Sequence, residues 1–303
     1  MTDEGARARI RARRVLQCGG VTGDLTQIRP LQGRVADTSR CEKGYCLMDE
    51  SVTYEVNDVV ATITLNRRHE RNTINLEVCD AVYAAVQQAE SDPAVRVMVL
   101  TGSGAVFCAG ADLKAIAAGQ GPDIADHRGG FGGFVRVART KPVIAAVNGH
   151  ALAGGLELVL AADLAIASTQ ALFGVPEVTV GLIAGGGGAI RLPVDLPPKI
   201  GMQMLLTGKP ITAANALLHG LVNELAEHED VLPAAHRLAR EICAAAPTAV
   251  AATLRVARTS MSLRDEANAW CISDDTLARI FETPNAVEGI AAFTNKRPPH
   301  WTV

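Results

Sequence analysis

Val143-Ile-Ala-Ala-Val-Asn-Gly-His-Ala-Leu-Ala-Gly-Gly-Leu-Glu-Leu-Val-Leu-Ala-Ala-Asp-Leu-Ala-Ile-Ala-Ser168 is the stretch around which the chain is organised. Val143 to Val147 is a short apolar run ended by Asn148-Gly149, which reads as a buried strand. Leu152, Leu156, Val159 and Leu160 then recur at helical spacing, so a helix begins near Ala153, and Asp163 to Ala167 reads as a second buried strand. Gly154 and Gly155 open the helix. Glycine costs roughly 1 kcal/mol against alanine in a helix interior, so the pair suits a backbone that something approaches closely. First-turn N–H groups have no partner inside the helix, and the helix dipole makes that end mildly positive. A developing negative charge fits there. Glu157, three residues after Gly154, shares its helix face and points a carboxylate toward that place. The bland alternative is a glycine packing contact with a dipole-favoured glutamate.

Upstream, Val95 to Leu100 is nearly all apolar, as expected of a strand covered on both faces. Thr101-Gly-Ser-Gly-Ala-Val-Phe-Cys-Ala-Gly-Ala-Asp-Leu-Lys114 follows. Small residues at Ala109, Gly110 and Ala111 let a ligand reach the backbone, and Asp112 suits the cap of a following helix better than a catalytic acid. Cys108 beside this loop reads as small buried filler rather than a nucleophile. Val52 to Leu65 alternates around Asn57-Asp58 as a β-hairpin and leads into the arginine-rich loop Asn66 to Asn72. A helix over Leu76 to Glu90 buries Val78, Val82, Ala85, Val86 and Ala89. Downstream of the central helix, Pro176 suits a first helical position and Glu177 the first turn. Gly185 to Gly188 could cradle phosphate, but no Lys-Ser/Thr follows, so a P-loop is excluded. Residues 115 to 134 are glycine-dense and therefore mobile or shaped around a ligand. From Leu196 onward the pattern is helical, with three helices expected between 247 and 300.

The whole chain sets bounds. With 303 residues and 48% hydrophobic content it can bury a substantial core. A net charge of −3 gives no case for nucleic acid, and no apolar run approaches the ~20 residues of a membrane span, so a cytoplasmic protein off the membrane is expected. The seven cysteines form no paired CxxC motifs and read as reduced thiols. Residues 1 to 47 carry nine Lys/Arg against five Asp/Glu with poor apolar periodicity, and they read as a disordered, dispensable extension with Met48 a possible start.

Ala146-Val-Asn-Gly-His-Ala151, Ala153-Gly-Gly155, Glu157 and Ala162-Asp-Leu164 resemble the signature of the enoyl-CoA hydratase/isomerase (crotonase) superfamily, and the resemblance runs from about Val52 to Trp301. It implies an α/β fold: a β-β-α spiral core over residues 48 to 246, then a helical module over 247 to 303. It implies an acyl-CoA thioester substrate, no separate cofactor, no metal, and a homotrimer or homohexamer. The N–H groups of Ala111 and Gly154 would form an oxyanion hole, Glu157 would orient and activate water, and Glu177 would exchange the α-carbon proton. Ala109, Ala111, Asp112, Leu113 and Lys114 would line the coenzyme A path, with Arg68, Arg71 and Lys296 meeting its polar parts. The chain departs from the family with Arg68 and Ala184 where proline is common. Gly129-Gly-Phe-Gly-Gly133 and Arg191-Leu-Pro-Val-Asp-Leu-Pro-Pro198 resemble the carnitinyl-CoA dehydratase branch. Three activities compete: a hydratase or dehydratase using both glutamates, an isomerase that can work with Glu177 alone, and a non-catalytic acyl-CoA carrier. The presence of both glutamates favours the first. No Gly-x-Ser-x-Gly, His-Glu-x-x-His or Gly-x-Gly-x-x-Gly pattern supports a hydrolase, zinc or nicotinamide enzyme.

Overall fold

A computed structural model describes residues 41–42, 45–263, 275–277, 279–280 and 282–302. Its strands are β1 (Cys41–Glu42), β2 (Tyr45–Asp49), β3 (Val52–Asn57), β4 (Val60–Leu65), β5 (Val97–Gly102), β6 (Val106–Cys108), β7 (Val143–Val147), β8 (His150–Leu152), β9 (Leu164–Ser168), β10 (Leu172–Gly174), β11 (Ile211–Thr212) and β12 (Glu224–Ala226). The helices of six or more residues are α1 (Leu76–Ser91), α2 (Gly154–Ala161), α3 (Gly188–Asp195), α4 (Pro198–Thr207), α5 (Ala213–Leu218), α6 (Val231–Cys243), α7 (Pro247–Leu263) and α8 (Pro284–Thr294).

Among the described residues the larger sheet runs β1-β2-β3-β4-β5-β7-β9-β12 and the smaller β11-β10-β8-β6. The first four strands of the larger sheet are antiparallel, and from β4 onward the neighbours are parallel. Each of β5, β7 and β9 is followed at once by a short strand of the smaller sheet, β6, β8 and β10. This strand-to-strand step, repeated before each helical return, winds the chain into the expected spiral. It also gathers the loops after β6, β8 and β10 at one place.

The apolar strands are explained by burial on two faces. In β5, Met98 and Leu100 face one core with α1 and α2, while Val97 and Val99 face a second core with α6. In β7, Val143, Ala145 and Val147 take the first side and Ile144 and Ala146 the second. Strand β5 begins at Val97, two residues later than the apolar run suggested. The segment from Pro176 is a 3-10 helix, Pro176–Val180, with Pro176 at its first position and Glu177 in its first turn.

The boundary drawn at residue 47 is corrected. Strand β2 starts at Tyr45 and pairs antiparallel with β3, Tyr45 opposite Glu55 and Leu47 opposite Thr53. The two strands are joined through Glu50 and Ser51, so the first element of the sheet lies before the alternating pattern of β3. The expectation for residues 1 to 40 lies outside the described residues, as does most of the stretch between α7 and α8, where the middle of the three expected C-terminal helices falls.

Helix α7 is fastened to the core by Arg258. Its Nε and Nη2 donate to the Asp163 carboxylate at 2.8 and 2.6 Å, and Nη1 donates to the Arg139 carbonyl at 2.7 Å. The chain end is held beside α6, where the Trp301 indole donates to the Ala244 carbonyl at 2.9 Å. Arg96, just before β5, donates to the Cys243 and Ala245 carbonyls. The C-terminal helices are therefore anchored at the edge of the larger sheet where its parallel strands begin.

Candidate active site

The central helix α2 has all eight of its residues buried, which is why so short an element holds its place. Its N-cap, Ala153, has φ 51° and ψ −128°, a conformation that costs a non-glycine residue about 1–3 kcal/mol. The Ala153 N–H donates to the Gly174 carbonyl at 2.8 Å, which ties this strained corner to β10. No side chain caps the helix, and among the described residues the Gly154 N–H has no acceptor. One expected oxyanion donor is thus free.

The other lies alongside. The Ile74 N–H donates to the Gly110 carbonyl at 2.9 Å, and the Asp112 N–H donates to the Ile74 carbonyl at 2.8 Å. This parallel bridge leaves the intervening Ala111 N–H on the opposite side of the chain, without an acceptor among the described residues. Gly110 has φ +93°, and a Cβ there would stand 2.6 Å from the Ala153 Cβ and 3.1 Å from the Gly154 nitrogen. Only glycine lets the Ala111 loop sit this close to the start of α2. The unpaired N–H groups of Ala111 and Gly154 thus lie on neighbouring backbone.

Glu157 is 3% exposed. Its Oε1 accepts the Gly188 N–H at 2.9 Å, and the Gly186 N–H also donates to the carboxylate. A Cβ on Gly186 would collide with Glu157 Oε2 and approach Phe131 Cβ. The glycine run therefore cradles an anion after all: a side-chain carboxylate instead of a phosphate. Burial pushes the Glu157 carboxyl up to about 7; Glu177 adds to the rise, while the two N–H groups and Arg191 oppose it. Glu177 is half-buried in the 3-10 turn, and its Oε2 is buried with no hydrogen-bond partner. Burial raises its carboxyl as well. Glu157, held by the glycine loop and one turn along α2 from the free Gly154 N–H, feels the charge of Glu177, whose Oε2 is unsatisfied.

Sequence reasoning did not place four residues at this site: Phe131, Gly186, Gly188 and Arg191. The Phe131 ring lies where a Gly154 Cβ would be, and its Cβ adjoins Gly186. Gly186 and Gly188 hold Glu157, and Arg191 places a cation within electrostatic reach of it. The available signal was the run of four glycines without a phosphate-binding partner.

The coenzyme-path residues separate into groups. The Ala109 N–H donates to the Arg71 carbonyl at 3.1 Å, so the loop of Arg68 and Arg71 is joined to the loop of Ala109 to Lys114. Arg68, Arg71, Leu113 and Lys114 are exposed. Asp112 is committed to structure: its Oδ1 accepts the N–H groups of Lys114 and Ala115, and its Oδ2 pairs with Arg67 at 3.0 Å. Burial alone would raise its carboxyl, but Arg67 and the two N–H groups hold it below the ordinary value. Asp112 is a cap, not an acid. Cys108 is fully buried, and burial pushes its thiol up to about 12, so it is filler. Lys296 is exposed on a different element. Its segment follows α8 and returns to Ala244, at the start edge of β5, whereas Arg68 and Arg71 follow the far end of β4. A six-residue strand, about 20 Å long, lies between those edges. Among the described residues no contact joins Lys296 to either loop. A mostly apolar cavity of about 370 Å³ near Pro93, Pro142 and Pro247 contains neither glutamate.

A family model described as enoyl-CoA hydratase/isomerase matches residues 55–303, and the chain belongs to that family. It is 39% identical over 259 residues to a carnitinyl-CoA dehydratase from Salmonella arizonae, covering 84% of this chain and 99% of the relative. A crystal structure of an enoyl-CoA hydratase from Mycobacterium tuberculosis superposes with a TM-score of 0.79 at 42% identity, covering 84% of this chain and 99% of that one. A carnitinyl-CoA hydratase from Mycobacterium avium superposes at 0.67 with 41% identity and the same coverage. The α/β crotonase-type fold expected from the sequence is the fold of these proteins.

Proposed function

We propose that this chain is a hydro-lyase that adds water to, or removes it from, the double bond of a 2-enoyl-CoA thioester. The observation that supports this reading is a buried Glu157 within electrostatic reach of Glu177, on the helix whose Gly154 N–H, like that of Ala111, has no acceptor among the described residues. Water attacks the β-carbon as Glu157 takes one of its protons. The electron pair of the double bond moves toward the thioester, and the two N–H groups stabilise the charge that develops on its oxygen. Glu177 then gives a proton to the α-carbon. Elimination runs these transfers backwards. Removing one such backbone donor typically costs ~3–4 kcal/mol of barrier. No separate cofactor enters the steps. The exposed Arg68, Arg71 and Lys114 are the cations proposed to meet coenzyme A, with Ala109, Ala111 and Leu113 along its path.

Self-association is part of the proposal. Val180, Leu182, Ile183, Ile190, Leu206 and Leu218 are 52–75% exposed on the elements that follow Glu177. Large apolar side chains at that density mark an interaction surface, and a homotrimer or homohexamer would cover it beside the site. Among the described residues no helix is long and apolar enough to cross a membrane, and we place the enzyme in the cytoplasm.

The test follows hydration by loss of conjugated absorbance, over short, long and trimethylammonium-bearing enoyl-CoAs, with α-deuterium exchange by mass spectrometry. Glu157→Gln should lose hydration yet keep exchange, and Glu177→Gln should lose both. Full hydration by Glu157→Gln would favour an isomerase. Binding without hydration or exchange for any acyl group would favour a carrier.

A further inference from the structure

Arg191 carries a charge beside Glu157 but has no part in the water addition. Its Nη2 donates to the Val135 carbonyl at 2.7 Å, while Nη1 is buried and has no hydrogen-bond partner among the described residues. Its N–H donates to the Gly187 carbonyl at 2.8 Å, and a Cβ on Gly187 would collide with Nη1. The guanidinium therefore lies on the glycine loop whose neighbouring N–H groups hold Glu157, and it hangs from the segment that carries Phe131. An orphan donor persists in a native fold where the group serves something besides hydrogen bonding. A rigid fork can reach a carbonyl with one arm and lie over the loop with the other, which a lysine ammonium cannot do.

We propose that Arg191 is a positioning residue for Glu157: tied to Val135 and laid over Gly187, it clamps the loop that holds the carboxylate and keeps a fixed positive charge beside it. The charges around this pair are few. Glu177 opposes the ionised form of Glu157. Asp195 and Glu157 attract Arg191, and Arg136 and Arg139 repel it. Asp195 therefore competes with Glu157 for the same cation. The consequence for rate rests on the hydro-lyase reading, but the placement itself does not.

The experiment titrates Glu157 directly in the full chain, without substrate, by infrared difference spectroscopy of its protonated carboxyl band. The band is assigned by its absence in Glu157→Gln. Arg191→Gln should move the titration up by about one pH unit, the scale expected for loss of a nearby opposite charge. Arg191→Lys should recover part of that shift. Asp195→Asn, at a position outside the reaction, should move the titration the other way. The acid limb of hydration should move with the titration in each variant. An unmoved titration in Arg191→Gln overturns the inference, and if that variant does not fold, an unmoved titration in Asp195→Asn does so. Titration shifts in a protein that hydrates no enoyl-CoA would refute the hydro-lyase reading and leave the placement of Arg191 standing.

Discussion

Replacing Glu157 with glutamine should remove activity and, at alkaline pH, leave the protein about as stable as it was or more so. The wild-type carboxyl titrates near 7 in the fold against an ordinary value of 4.5. A raised carboxyl pKa means the fold prefers the neutral form, so its contribution is fully present below the ordinary value and is lost as pH rises through 7. A shift of that size corresponds to roughly 3 kcal/mol at full ionisation, at ~1.4 kcal/mol per pKa unit. Between pH 5 and 8.5 the wild type should lose about 2–3 kcal/mol relative to the glutamine variant, because glutamine has no such titration. Glutamine has its own penalty. Its amide NH₂ would face one of the two N–H groups, Gly186 or Gly188, that now donate to the carboxylate, and a donor left unpaired there costs about 1–3 kcal/mol at every pH. The variant should therefore be the less stable protein at pH 5 and equal or exceed the wild type at pH 8.5. Urea denaturation followed by circular dichroism, at fixed protein concentration, measures both. A stability difference that does not change with pH would refute the argument that Glu157 is buried against its charge.

Other outcomes follow from the same geometry. Hydration by the wild type should fall about tenfold from pH 8 to pH 6, since a base titrating near 7 is mostly protonated at the lower value; a flat kcat/KM profile would remove Glu157 from the role of base. Gly186→Ala should cut hydration at least about tenfold while circular dichroism stays native, because the new methyl would press on the Glu157 carboxylate and Phe131. Deleting residues 1 to 47 should lower Tm by several degrees, because it removes most of β2 and exposes the edge of β3; an unchanged Tm would make β2 irrelevant to stability. Arg258→Ala should cost about 3–5 kcal/mol by leaving Asp163 half-buried without its cation, seen as faster proteolysis within the C-terminal helices.

The sequence revealed those parts of the fold that rest on periodicity and small residues. The all-apolar Val97–Leu100 and Val143–Val147 are read correctly because burial on both faces leaves no polar positions. The cap at Asp112 and the bare first turn at Gly154 are local chemistry, so they too were legible. The edge strand β2 was not, because a short strand with Asp49 and one cysteine carries no alternation of its own and is defined by its partner. Lys296 could not be placed from the sequence, for the opposite reason. A basic residue near a chain end says nothing about which edge of a sheet receives that end. Arg191 and Phe131 entered the site through contacts across 34 and 23 residues of sequence, from Glu157 and Gly154 respectively, and no spacing rule spans such gaps.

The complete burial of α2 has a consequence for how this chain can change over time. A helix that is core on every side cannot shift to suit a different acyl group without breaking the packing it supplies. Glu157 and the Gly154 N–H are therefore inherited together, as a fixed chemical kernel. The glycine-dense segment 115–134 has less of that constraint over its first part, where residues 116–119, 122, 123, 125 and 126 are exposed. Divergence in acyl preference should accumulate there, leaving the reaction itself unaltered.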